Sequence, residues 1–167
     1  MPRTTATTVR LGLCAVVGLV ACTPVSTRPT FRPDPRALVL ILNARPERVT
    51  AELATVVPTE SLVVARFNVR DGYLETAWYD TQAHRTLEHA RDIANLAATV
   101  KLRFWADPYV PGQTRLTIEP VVRPRLDPSR PERDLEVLVV KPEMGYQLAQ
   151  RFAEKLKERF GVPKAAQ

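Results

Sequence analysis

The sequence predicts a single α+β domain in which an antiparallel β-meander packs against an amphipathic C-terminal helix, with a short helix near the start of the domain. Two patterns predict this fold. Apolar and polar residues alternate in several runs that turn residues separate, as in an antiparallel sheet with one buried face. Near the end of the chain an apolar residue recurs at every fourth position: Leu148, Phe152, Leu156 and Phe160. Each apolar surface stays in water unless the two pack together.

The first 21 residues resemble a secretion signal. Arg3 and Arg10 precede an uncharged run over residues 11–21, which is too short to cross a bilayer. The run ends in Leu-Val-Ala followed by Cys22, which resembles the lipobox of bacterial lipoproteins. That resemblance implies cleavage after Ala21 and attachment of a diacylglycerol, and often a further acyl chain such as palmitate, to Cys22. The alternative is an ordinary cleaved signal in which Cys22 has no role.

Residues 22–36 are predicted to be the lipidated cysteine and a proline-rich tether. The tether prolines are Pro24, Pro29, Pro33 and Pro35. Extended chain of this length reaches at most roughly 40 Å, so the domain, residues 37–167, is expected to work close to the membrane surface. The only other cysteine, Cys14, lies in the signal, so the mature chain has no pair for an internal disulfide.

The domain is predicted to begin with a strand and a short helix. Residues 37–42 are uniformly apolar, as in a buried strand. Pro46 suits a first helical position, apolar residues follow at helical spacing, and Pro58 prevents continuation. We therefore expect a helix over residues 46–57.

Residues 62–79 are predicted to form a hairpin around Asp71-Gly72, a pair typical of two-residue turns with positive φ. This pairs Arg70 with Tyr73 and assigns alternate residues to opposite faces. The apolar face contains Val63, Ala65, Phe67, Val69, Leu74, Thr76 and Trp78. The polar face contains Val64, Arg66, Asn68, Arg70, Tyr73, Glu75, Ala77 and Tyr79.

Two later strands continue the meander. Residues 100–106 place Lys101, Arg103 and Trp105 on the polar face, and residues 115–119 place Arg115, Thr117 and Glu119 there. Residues 82–97 are expected to be a helix, residues 123–134 a charged loop, and residues 135–140 a further strand.

The polar face is the predicted interaction surface, because arginine and aromatic residues are enriched in binding hot spots. Its candidate residues are Arg66, Arg70, Tyr73, Tyr79, Arg103, Trp105 and Arg115. Two alternatives stay open: the face is merely solvated, or another helix covers it.

No catalytic residue, metal site or cofactor is predicted. His84 and His89 lie about 140° apart on a helix and do not suit one ion. Glu75 and Glu119 could act as an acid–base pair, but neighbouring arginines make salt bridges the expected arrangement. An enzyme is therefore the least favoured class.

Charge and export limit the partners. The chain has 24 basic and 18 acidic residues, and the predicted signal contains two of the arginines and no acid, so the mature formal charge is +4. This favours anionic lipid, glycans or an acidic protein surface, and export excludes nucleic acid as the expected partner. In a cell with two membranes the expected place is the outer membrane, facing the periplasm.

The order of lipobox, tether, strand, helix, meander and terminal helix resembles the helix-grip domains of BamC/NlpB-like envelope lipoproteins. The segment most like their hairpin is Asp71-Gly72-Tyr73-Leu74-Glu75-Thr76-Ala77-Trp78-Tyr79-Asp80. The resemblance implies a non-enzymatic accessory role in outer-membrane protein assembly, with an envelope protein as partner. The second hypothesis is a lipoprotein that binds a lipid, glycan or small molecule between the sheet and the terminal helix, beneath Leu148 and Phe152.

Overall fold

A computed structural model describes residues 26–87 and 95–163, and in it two helices lie on one face of an antiparallel sheet. Helix α1 (Pro46–Val56) begins at its predicted proline and continues as the 3-10 turn Val57–Glu60. Helix α2 (Met144–Phe160) ends at Gly161. Both predicted helices are confirmed, because proline at a first helical position and a glycine after the last mark helix ends reliably.

The long strands follow the predicted meander. Strands β6 (Thr99–Pro108) and β7 (Thr114–Val122) form the longest pair. Strand β3 (Tyr73–Thr76) pairs with β6, and β2 (Val64–Asn68) pairs with β3. Strand β1 (Leu38–Leu42) pairs with β7, so the order is β1-β7-β6-β3-β2 and the two end strands are β1 and β2.

Three short strands complete the eight-stranded sheet: β4 (Tyr79–Asp80), β5 (Arg85–Thr86) and β8 (Val137–Leu138). The predicted helix over 82–97 is wrong in its first part, where turns and β5 replace it. Residues 88–94 of that prediction lie outside the described residues. The predicted strand over 135–140 shortens to β8, because a 3-10 turn (Glu132–Leu135) occupies its start.

The core lies between the apolar face of the sheet and the two helices. Phe104 on β6 meets Phe152 on α2 edge to face, with ring centroids 5.6 Å apart. Leu148 and Leu156 extend this contact along α2, and both are buried. Each fully buried leucine or phenylalanine stabilises the fold by roughly 1.5–3 kcal/mol, so this seam makes a substantial contribution to stability. The predicted packing of helix on sheet is confirmed.

The predicted hairpin register is wrong. Asn68, rather than Arg70, pairs with Tyr73, and a four-residue loop connects the strands. The Asn68 side-chain oxygen accepts hydrogen bonds from the backbone N–H groups of Arg70 (2.9 Å) and Asp71 (3.3 Å), which holds the wider loop. Gly72 keeps the predicted positive φ, at 60°.

Two irregularities exchange residues between the faces. A bulge between Val64 and Arg66 turns Val64 to the core and leaves Val63 exposed. Pairing also shifts by one residue between β3 and β4, so Trp78 joins the polar face and Tyr79 joins the core. The predicted place of Tyr79 on the polar face is therefore wrong, since its ring packs in the core with its hydroxyl 3.4 Å from His84 Nδ1.

Candidate functional site

The polar face has its most concentrated chemistry where β3, β6 and β7 lie side by side. The register places Glu75 opposite Arg103, and Arg103 opposite Glu119. One step along the strands, Tyr73 lies opposite Trp105. Period-two alternation directs these side chains to one side of the sheet, as the sequence predicts.

These residues are not exposed to solvent. Tyr73 and Trp105 are fully buried, and Arg103 retains only 3% of its exposure. The prediction of an open interaction surface is therefore wrong for these three residues. Two covering segments account for their burial: residues 26–36, which we call the strap, and residues 123–139, which we call the return segment.

Arg103 is the centre of a charged cluster that joins strands to the return segment. Its Nε lies 3.1 Å from Glu75 Oε2, and its Nη1 lies 3.3 Å from Glu119 Oε2. Its Nη2 donates to both oxygens of Glu136, at 2.7 and 2.5 Å. Three carboxylates from three segments thus surround one guanidinium, whose planar fork suits such multiple contacts.

Lys101 continues the cluster toward Trp78. Its Nζ lies 2.9 Å from Glu132 Oε1 and 3.7 Å from Glu75 Oε1. The ammonium also lies 4.4 Å from the centroid of the Trp78 ring, whose Nε1 donates to the same Glu132 oxygen at 2.9 Å. The indole and the lysine together hold the start of the return segment against the sheet.

The surroundings of Glu75 favour its ionised form. Burial opposes ionisation of Glu75, but the hydrogen bond from Tyr73 Oη and the charges of Lys101 and Arg103 outweigh it and lower the pKa of Glu75 below its ordinary value. Burial and the hydrogen bond to Glu75 raise the pKa of the Tyr73 hydroxyl. Both pKa values move away from neutral pH, so these two groups are poorly matched to proton transfer at that pH.

The strap seals the cluster with Phe31. Two guanidinium groups lie over the Phe31 ring, with Arg133 at 3.8 Å and Arg103 at 5.2 Å from its centroid. Its edge meets Trp105, with ring centroids 6.2 Å apart. At the end of the strap, Asp34 donates its backbone N–H to Glu119 Oε1 at 2.8 Å. The strap is thus bound along the polar face.

The start of the strap is fixed to the loop between β2 and β3. Asp71 Oδ2 accepts from Ser26 Oγ (2.8 Å) and from the Thr27 backbone N–H (3.0 Å). Arg28 donates to the Asp71 carbonyl at 2.9 Å and pairs with Asp107 at 2.6 Å. Residues 26–36, predicted as tether, are therefore bound to the sheet and its loops.

A cavity of about 210 Å³ lies where the strap meets the cluster. Pro29 and Phe31 form its wall from the strap, and Arg66 and Glu132 line the side nearer solvent. The lining is dominated by charged groups that already pair with one another. It offers little apolar surface to a drug-sized ligand, which prefers a mostly apolar pocket.

The remaining predicted residues lie at the margins. Arg66 and Arg70 are exposed, the latter in the loop after β2. Arg115 is exposed on β7 with its guanidinium 4.9 Å from the centroid of the Tyr109 ring. Cys22 lies outside the described residues. Of the predicted surface, only Arg66, Arg70 and Arg115 remain accessible.

Sequence reasoning missed the residues that cover the face. Phe31 carried a signal, since it is the single aromatic residue in the proline-rich segment. Glu132, Arg133 and Glu136 were visible only as members of a mixed-charge loop. Their pairing with β6 depends on contacts between distant parts of the chain, which spacing does not reveal.

The space between sheet and terminal helix is filled by side chains. Leu148 and Phe152 are 2% and 0% exposed, and Phe104 packs directly on Phe152. A cavity beneath these two residues was the expectation of the ligand-binding hypothesis. Their tight packing disfavours it.

Two further findings concern only the part of the chain that the structure describes. Across residues 26–87 and 95–163, no three His, Cys, Asp or Glu side chains are grouped so that they could hold a metal ion. No helix within those ranges has the length and apolar character needed to cross a membrane. His89, one of the two histidines of the chain, lies outside those ranges.

No protein-family model matches the chain, and no curated protein matches it.

Proposed function

We propose that this chain is an envelope lipoprotein, anchored in a membrane by lipid on Cys22, that acts as a non-enzymatic interaction module. The signal-like residues 1–21 and the lipobox ending at Cys22 support the anchor. Several acyl chains are needed for durable attachment, because a single chain binds a bilayer only marginally. In a cell with two membranes we place the domain on the outer membrane, facing the periplasm.

The partner in this proposal is another envelope protein. The resemblance to BamC/NlpB-like lipoproteins favours an accessory role in outer-membrane protein assembly. A shared architecture does not by itself transfer a role, so the docking surface must be argued from this chain's own residues.

The observation that carries the proposal is the open edge of the sheet at β1. This strand reads Leu-Val-Leu-Ile-Leu, with no charge, proline or glycine, and among the described residues it is an end strand of the sheet. The Val39 side chain is 50% exposed. Proteins ordinarily protect such edges with charges, prolines or bulges, because an unpaired apolar strand is a template for another strand. Strand β2, at the other end, has both a bulge and the charged Arg66.

An extended segment of the partner fits this edge. Backbone hydrogen bonds to β1 would supply affinity, and an apolar residue of the partner could pack beside Val39. The polar face, by contrast, already has the strap and the return segment on it. We therefore propose that the partner binds at the β1 edge rather than on the polar face.

Photocrosslinking in intact cells tests this proposal. A photoreactive amino acid at Val39 is expected to crosslink to a distinct envelope protein, whereas the same group at Val63, which is 55% exposed near β2, is not. Val39→Lys is expected to reduce recovery of that partner severalfold, and Val63→Lys to leave it unchanged. A crosslink between two copies of this chain, the absence of a crosslink at position 39, or equal effects of the two lysines would contradict the proposal.

A further inference from the structure

We infer that one end of the sheet contacts the bilayer directly, and that the contact is with anionic phospholipid headgroups. This end, which we call the anchor end, consists of the loops β1–α1, β2–β3 and β6–β7 and residues 161–163, which follow α2. The inference rests on the proposed lipid anchor at Cys22. It adds an orientation for the domain and a second membrane-binding element.

The first step is the position of the strap. Ser26 is hydrogen-bonded to Asp71, in the β2–β3 loop, and only three residues lie between it and Cys22. The four Cα–Cα steps from Cys22 to Ser26 span at most roughly 14 Å in a fully extended chain. A lipid on Cys22 therefore holds the β2–β3 loop close to the headgroups, whatever path the intervening residues take.

The second step is which other loops share that end. Ala106 donates to the Gly72 carbonyl at 2.7 Å, and Arg28 bridges Asp71 to Asp107, so the β6–β7 loop lies beside the β2–β3 loop. Gln113 in turn donates to Asn43 Oδ1 at 3.3 Å, which adds the β1–α1 loop. The Asn43 backbone N–H donates to the Gly161 carbonyl, which adds the end of α2.

The third step is the chemistry of the exposed side chains there. Tyr109, Val110 and Val162 are each about half exposed, at 48%, 47% and 51%. A tyrosine with one apolar side and one polar tip is typical of membrane interfaces. The guanidinium of Arg115 lies over the Tyr109 ring, which places a cation beside this exposed aromatic side chain.

The charge of this end is also suitable. Arg45 and Arg70 are exposed in two of the loops. The nearby acids Asp71 and Asp107 are both engaged by the strap, through Ser26, Thr27 and Arg28. Glu47, in the first turn of α1, is the exposed acid closest in sequence to Arg45. The accessible arginines thus favour a negatively charged surface.

Tryptophan quenching by brominated lipid tests this orientation. The lipidated full-length protein is purified and placed in vesicles of three parts phosphatidylethanolamine to one part phosphatidylglycerol. Val110→Trp is compared with Val137→Trp. Val137 is 50% exposed and lies on β8, beside the opposite end of β7 and roughly 26 Å away. The native Trp78 and Trp105 are buried and give the same background in both variants.

We expect lipids brominated in the acyl chain to quench the Val110→Trp signal at least about twofold more than the Val137→Trp signal. Adding Arg70→Glu and Arg115→Glu to Val110→Trp should remove most of that excess in the anionic vesicles. Equal quenching at positions 110 and 137 would overturn the inference. Quenching at position 110 that stays the same after the two charge reversals would also overturn it.

Intact mass of the purified protein separates the two proposals. A chain without lipid on Cys22 overturns the lipoprotein proposal and this inference with it. A lipidated chain that shows no excess quenching at position 110 overturns this inference alone.

Discussion

The guanidinium of Arg133 lies 3.8 Å from the centre of the Phe31 ring, and Arg103 contacts the same ring from 5.2 Å. One aromatic residue of the strap therefore joins the return segment to the central strand β6. Cation–π contacts of this kind are strongest where water is excluded, as it is around the buried Arg103.

Phe31→Ala is expected to lower the free energy of unfolding by about 2–3 kcal/mol, because it removes both cation–π contacts and the burial of the ring. Trp105 should become more exposed, and its fluorescence should shift to longer wavelength. Urea unfolding and emission spectra measure these effects. Phe67→Ala, at a phenylalanine that is 40% exposed on β2, is the matched control and should cost less than about 1 kcal/mol. Equal losses would show that the strap is not held by Phe31.

Arg103→Met is expected to destabilise the protein by about 3–5 kcal/mol at pH 7, because three buried carboxylates lose their shared cation. Glu75, Glu119 and Glu136 then repel one another, and protonation at lower pH should recover part of the loss. Arg66→Met, at an exposed arginine of the same face, should change stability by less than about 0.5 kcal/mol. Chemical denaturation at pH 7 and pH 5 measures both variants, and a loss that is the same at both pH values argues against the repulsion.

Acid is expected to weaken the wild-type fold through Glu75 and Glu132. Burial opposes ionisation of both, yet hydrogen bonds and nearby cations hold their pKa values below the ordinary 4.5. Their contribution is therefore complete above about pH 4.5 and is lost as pH falls through the lower folded-state values. The double variant Glu75→Gln, Glu132→Gln should start less stable at pH 7 and fall less steeply with acid. Chemical denaturation at a series of pH values measures the free energy of unfolding of both proteins. The same pH dependence in the wild type and the double variant would reject this assignment.

Gly72→Ala is expected to cost more than about 2 kcal/mol, since two effects add. The residue has φ of 60°, and an added Cβ would lie 2.2 Å from the Ala106 carbonyl oxygen. Gly112→Ala provides the control: φ is 82°, but nothing lies within 4 Å of the added Cβ, so only backbone strain of about 1–2 kcal/mol applies. Thermal unfolding of the two variants distinguishes a steric clash from backbone strain. A larger loss of stability for Gly112→Ala than for Gly72→Ala would contradict the close approach of Gly72 to Ala106 on β6.

Cys22→Ser is expected to abolish lipid attachment and to move the protein from the membrane to the soluble fraction. The physical reason is the loss of the acyl chains, each of whose buried methylenes contributes roughly 0.8 kcal/mol to membrane binding. Fractionation with intact-mass measurement checks this. A mutant that is still processed and still membrane-bound would falsify the lipoprotein proposal.

The elements that could be predicted from the sequence are those with a local signal. Pro46 and Pro58 bracket α1, and the four-residue repeat from Leu148 to Phe160 marks α2. The alternation in β6 and β7 assigns their faces correctly, because each strand runs for nine or ten residues without interruption.

The errors arise where a single residue changes the register. The Asn68 side chain widens the loop, a bulge follows Val64, and one extra residue between β3 and β4 exchanges Trp78 with Tyr79. Alternation alone cannot place such interruptions, because a shift of one residue reverses every side chain that follows.

The polar face illustrates a different difficulty. The sequence predicts its residues correctly for β3 and β6, but their burial depends on segments far away in sequence, as the pairs Arg103–Glu136 and Asp34–Glu119, 33 and 85 residues apart, show. Balanced charges on a strand are equally consistent with a solvated surface and with a covered ion cluster.

Under the proposed lipid anchor, binding of the strap also limits the height of the folded unit above the bilayer. If Cys22 carries the proposed lipid, attachment of residues 26–36 limits the rise of the folded unit above that lipid to about 14 Å, whereas a detached strap would leave 14 residues between Cys22 and Ala37, roughly 50 Å when extended. In the proposed lipoprotein, attachment at Asp71 and Phe31 would therefore set how far above the bilayer the proposed docking edge at β1 is presented. With the strap attached, the β1 edge would be accessible to partners close to the membrane. With the strap detached, it could also reach partners farther from the membrane.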